Sequence, residues 1–134
     1  MQSHLLTGVG VSGALATQPP RRGRHECFVA FATDAYIACY SMLMAKGARS
    51  RVEEEGLCGR LVLAAMAREC GVASPAWADM SLPGVTQVKD FTALAEAWAS
   101  ASDTELVLTA RQHLPDSLHQ LLFGNGAPVA APAS

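Results

Sequence analysis

This chain is short of charge. Of its 134 residues, 16% are Asp, Glu, Lys or Arg, well under the quarter usual for a globular domain. A formal net charge of -2 argues against a generally basic nucleic-acid binder. The four cysteines include no Cys-x-x-Cys and no histidine stands at ligand spacing, so no metal site is expected. No serine, cysteine or carboxylate has a partner at catalytic spacing, and neither a catalytic residue nor a cofactor is expected. Met1 to Ala16 lacks a basic start and is broken by Gly8, Gly10 and Gly13. It therefore does not read as a signal peptide, and a reducing, cytoplasmic setting with unbridged thiols is expected.

Half of the residues are apolar, enough at this length for one modest core. A chain with so little charge tends to hide apolar surface in a partner or in copies of itself. From Cys27 to Ala45 the only charge is Asp34, and the stretch approaches bilayer-spanning length. Thr33, Tyr36, Tyr40 and Ser41 dilute it, and its neighbour carries Glu53, Glu54, Glu55, Arg60, Arg68 and Glu69. A core element is therefore preferred to a membrane span.

Cys27, Phe31, Asp34, Ala38, Ser41 and Ala45 are spaced alternately by four and three, and so are Val52, Gly56, Gly59, Leu63, Met66 and Cys70. On helices such residues share a face, and the two rows mirror each other around the turn at Gly47. The pattern predicts an antiparallel αα-hairpin, 25–46 against 51–70, with the small residues Ala38, Ser41, Gly56 and Gly59 in close contact. Ser50-Arg51-Val52-Glu53 reads as a capping box for the second helix, which Gly71 closes. Cys27 and Cys70 would meet at the open end of the hairpin, as reduced thiols or as the one feasible bridge.

Around this hairpin the chain reads as an all-α bundle of about five helices over 25–123. Ser74-Pro75 starts a short helix that contains Trp77. A further helix, Val88 or Asp90 to Ala101, puts Phe91, Leu94, Ala95 and Trp98 on one face. Ser102-Asp103-Thr104-Glu105 reads as another capping box, ahead of Leu106, Val107, Ala110 and Leu114, and a last turn runs from Asp116 to Phe123. Residues 1–24 read as an extended arm, in which Leu5, Leu6, Val9 and Val11 could form a short strand or lie along a partner. Arg21, Arg22 and Arg24 add local basic charge. The Ala/Pro-rich tail, 124–134, has little with which to pack.

Three motifs touch on chemistry. Gly8-Val9-Gly10-Val11-Ser12-Gly13 spells G-x-G-x-x-G, but Pro19-Pro20 stop any helix that would follow it, so a dinucleotide site is not expected. His113, Asp116 and His119 are kept off one helical face by Pro115. Met66 to Met80, with Ala67, the turn glycine Gly71, and Val72, Trp77 and Met80 at packing positions, resembles a DNA-binding helix-turn-helix. That resemblance implies a small regulator, although Ser74, Pro75, Ala76 and Asp79 would give the recognition helix no side chain to grip phosphate or read base edges. The preferred reading is a non-enzymatic protein-binding module: an adaptor, chaperone or assembly subunit that holds protein partners or copies of itself through helical faces, the arm and Trp77.

Overall fold

From His25 to Thr33 every second residue is buried, which is the period of a strand and not of a helix. This segment and Tyr36–Met44 form strands β2 and β3 in a computed structural model that describes residues 6–19, 23–73, 82–102 and 104–123. Thr33 closes the hairpin between them. Its hydroxyl oxygen accepts from the backbone N–H groups of Ala35 and Tyr36, each at 3.1 Å, and its O–H donates to the Tyr36 carbonyl at 3.2 Å. In chain order the elements are β1 (Leu6–Ala14), β2, β3, α1 (Arg51–Glu69), β4 (Val85–Gln87), α2 (Phe91–Ser100), β5 (Leu106–His113) and α3 (Asp116–Phe123). The strands form one sheet in the order β1-β2-β3-β5-β4. All neighbours are antiparallel except β4 and β5, which run parallel with α2 between them in the chain.

Helix α1 covers one face of this sheet. Its Leu57, Leu61 and Ala65 pack on Cys27, Val29, Phe31, Ala38, Tyr40, Met42 and Val107, a core in which none of these is more than 1% exposed. Each large side chain buried there contributes about 1.5–3 kcal/mol. The start of α1 is as the sequence predicts: the Ser50 hydroxyl accepts from the Glu53 N–H at 3.2 Å, and the Glu53 carboxylate accepts from the Ser50 N–H at 2.8 Å. Gly47 and Gly71, with φ of 80° and 71°, take left-handed turns on either side of the helix.

The expected all-α bundle is overturned, because 25–46 is a β-hairpin and not a helix. A run with one charge between Cys27 and Ala45 accommodates a helical rhythm as easily as alternation, and pairing with the distant β5 selects the strand. The expected seam disappears with the helical hairpin. On α1 its row points outward: Val52 is 75% and Leu63 41% exposed, Gly56, Gly59 and Cys70 are also exposed, and Met66 is partly buried at the core margin. A Cβ added at Gly56 or Gly59 would meet nothing within 4 Å, so among the described residues nothing packs on them. The inward row is Glu54, Leu57, Leu61, Ala64, Ala65 and Glu69. Of the other expected row, Cys27, Phe31 and Ala38 do face α1, whereas Ser41 lies on the opposite face, Asp34 at the exposed hairpin tip and Ala45 just past β3.

Two further expectations change. Residues 106–113, read as a helix, are strand β5, and Glu105 ties down the β3–α1 turn instead of capping a helix. The arm contributes β1, the edge of the sheet. The helix expected from Val88 or Asp90 to Ala101 forms as α2, Phe91–Ser100 with Asp90 as its cap, and the turn expected at 116–123 forms as α3. The short helix at 74–80, with Trp77, and the tail at 124–134 lie outside the described residues, and so does the second helix of the helix-turn-helix resemblance.

Candidate functional site

The face of the sheet opposite α1 is floored with small side chains. Register places Gly10, Ala30 and Cys39 in one row across β1, β2 and β3, and Ser12, Phe28 and Ser41 in the next. Alternation turns both rows away from the α1 core. Helix α2 stands over this face, started by Asp90, whose carboxylate accepts from the Ala93 N–H at 2.8 Å. The tilted rings of Trp98 and Phe28 lie 5.2 Å apart and hold the helix to the sheet. Arg24 completes the attachment: its guanidinium donates to the Trp98 carbonyl at 2.7 Å and the Ala101 carbonyl at 3.3 Å, and sits 5.5 Å from the Trp98 ring centre.

Helix α2 covers only part of the face, and an open trough of about 530 Å³ remains beside it. Phe91, Leu94 and Trp98 form one wall and the small residues of β1–β3 form the floor. The volume falls within the range of ligand-sized sites, about 300–1,000 Å³. Its side-chain polar atoms include the Ser12 and Ser41 hydroxyls, the Cys39 thiol and the Trp98 indole N–H, with no charged residue in the lining. The trough runs out to β1, whose Gly10 and Ser12 lie on the trough side of the sheet.

The α1 face carries the ionisable groups, and they are engaged with one another. At the C-terminal end of α1, Glu69 accepts from the Tyr36 hydroxyl at 3.0 Å, the Tyr40 hydroxyl at 2.5 Å and Arg111 Nη2 at 2.5 Å. Burial, together with the Glu69 carboxylate, pushes both tyrosine hydroxyls above their ordinary pKa. At the other end, Glu54 is fully buried; it accepts from the Ala16 N–H at 2.7 Å, and His25 Nδ1 lies 2.7 Å from its second oxygen. These carboxylates tie helix to sheet and leave no buried side-chain polar atom unpaired among the described residues. Nor do the described residues contain a His, Cys, Asp and Glu cluster able to hold a metal ion, or a helix long and apolar enough to cross a membrane.

The thiols are unbridged among the described residues. Cys70, expected opposite Cys27, is exposed at the far end of α1, and the neighbour of Cys27 is Cys58. The hydrogen bond from Cys58 holds the Cys27 thiol below the ordinary value despite its burial, and the same bond pushes Cys58 up.

Of the partner contacts expected from the sequence, Val9 and Val11 are exposed on β1 and Arg24 is held by α2. Leu6 begins β1, while Leu5, Arg21, Arg22 and Trp77 lie outside the described residues. The apolar face of 91–98 was legible as a helical stripe. Its counterpart, Phe28, Ala30 and Cys39, was not, although alternation about the buried Cys27, Val29 and Phe31 carried the signal. No known protein family, curated protein or solved structure matches this chain.

Proposed function

We propose that this chain is a non-enzymatic protein-binding module whose recognition surface is the trough between α2 and the β1–β3 face. Its occupant is an apolar, extended segment of a protein partner. The observation that carries this reading is the trough itself: a ligand-sized apolar concavity with no charged lining residue, on a sheet whose other face holds the core under α1. An open trough that reaches the outer edge of β1, with which no described strand pairs, suits a chain segment better than an enclosed small molecule. The ionisable groups support a binding role, since Glu54 and Glu69 are consumed in holding α1 to the sheet. The unbridged thiols favour a reducing compartment, and we place the protein in the cytoplasm.

The test uses the apolar dye 8-anilinonaphthalene-1-sulfonate. The folded chain should take it up at one site, and apolar peptides should displace it. Cys39→Phe fills the floor of the trough without touching the α1 core, and Trp98→Ala removes a wall; each should weaken uptake about tenfold. A folded chain that takes up no dye, or whose uptake ignores both substitutions, would overturn the reading.

A further inference from the structure

The two edges of the sheet differ. On one side β4 is three residues long, whereas on the other β1 runs for nine, Leu6–Ala14, with neither a charge nor a proline in Leu-Thr-Gly-Val-Gly-Val-Ser-Gly-Ala. Charges, prolines, bulges and short length are the devices by which sheet edges avoid pairing with other chains. β1 has a single register irregularity, between Leu6 and Gly8, and is straight through the part that matters, from Gly8 to Ala14. Among the described residues no strand pairs with its outer side.

We propose that β1 is a self-recognition strand: two copies of this chain pair β1 against β1, antiparallel about Gly10, and join their five-stranded sheets into one. The occupant follows from the symmetry of the strand. With Gly10 on the two-fold axis, Val9 of each copy stands opposite Val11 of the other, and Gly8 opposite Ser12, so the same patch serves both subunits. Val9 and Val11 share the α1 face with Phe31 and Val29, their partners in β2, yet they lie beyond the cover of α1 and are left 43% and 55% exposed. Pairing sets four valines directly across from one another and removes that exposure. On the other face Gly8, Gly10 and Ser12 carry almost no side chain, and a Cβ added at Gly8 or Gly10 would meet nothing within 4 Å. The two strands can therefore approach without obstruction. Gly10 also lines the trough, so the troughs of the two copies meet at the axis and form one continuous channel floor.

This deepens the binding-module reading, and the two fail separately. Dye uptake by a monomer removes the pairing and leaves the trough, whereas a dimer without dye uptake does the reverse.

Light scattering on the native chain should give twice the 14.1 kDa of one copy. The double substitution Val9→Lys with Val11→Lys places like charges across the axis and should weaken association at least about tenfold. Val9→Lys with Val11→Glu should restore it, because the register sets position 9 against position 11. All are surface changes on a strand already exposed, and circular dichroism checks that each remains folded. In a Cys70→Ser background, Gly10→Cys should form an intermolecular disulfide on mild air oxidation by dissolved oxygen, and Gly8→Cys, which faces Ser12, should not. A single-chain mass at about 0.1 mM, a dimer indifferent to the double lysine substitution, or equal cross-linking at positions 8 and 10 would each overturn the proposal.

Discussion

The two faces of the sheet are finished in opposite ways. Under α1 the interior is closed: Phe31, Ala38, Met42 and Val107 are 0% exposed, and the polar groups at its ends are paired. Under α2 the same strands present Gly10, Ala30, Cys39 and Ser41, and a ten-residue helix leaves an open trough beside it. The closed face uses long side chains to fill the space beneath a nineteen-residue helix. The open face uses short ones, so the space stays empty. One pair of strands can therefore act as core on one side and as receptor surface on the other, with side-chain size and the length of the covering helix together separating the roles.

Breaking the closed face should have the largest effect. Phe31 is fully buried and meets the Tyr40 ring edge-on, with centres 6.0 Å apart. Phe31→Ala should cost about 3–5 kcal/mol in urea denaturation. Phe28→Ala, three residues away on the same strand but partly exposed under α2, should cost about half as much, and equal losses would erase the distinction between the faces. Next comes the polar end of α1. Glu69→Ala strands two tyrosine hydroxyls and Arg111, and should cost about 3 kcal/mol. That lies at the low end for a buried pair because the Arg111 side chain is 40% exposed. Thermal unfolding would show it, with Glu69→Gln falling between the variant and the native chain.

The smallest effect sharpens the comparison at the turn that leads from sheet to α1. The Arg49 guanidinium holds the Glu105 carboxyl below its ordinary value against the opposing effect of burial, helped by the Ala45 N–H. A carboxyl whose folded pKa is depressed stabilises the fold above its ordinary value of 4.5 and loses that contribution as pH falls through the lower folded value. The pair is about a quarter exposed, so about 0.5–1 kcal/mol is at stake. Glu105→Gln should lower stability at neutral pH by that amount and flatten its decline below pH 4.5. An unchanged acid limb in chemical denaturation would show that the pair contributes nothing.

Legibility in the sequence followed local information. The capping box at Ser50–Glu53 and the glycines at 47 and 71 act within a few residues, and α1 begins and ends where they indicate. The apolar stripe of 91–98 lies on α2 for the same reason. The stretch from 25 to 45 failed because nearly every position is apolar or small, and a 4-3 rhythm and a 2-2 rhythm then fit equally well. Thr33-Asp34 marked the break between β2 and β3, but a helical reading absorbed it. The trough was illegible for a further reason: it is assembled from β1, β2, β3 and α2, whose residues are far apart in the chain.

Taken alone, the sequence determined the cap at Ser50, the turns at Gly47 and Gly71, the limits of α1, the apolar stripe of α2, and a shortage of charge that leaves apolar surface to be hidden. Tertiary structure decided that 25–44 is a strand pair, which side of each strand meets α1, and that Gly56 and Gly59 face outward. Caps and turns are settled by contacts between near neighbours. The choice of strand over helix for an apolar run depends on whether a distant segment, here β5, is present to accept its backbone hydrogen bonds.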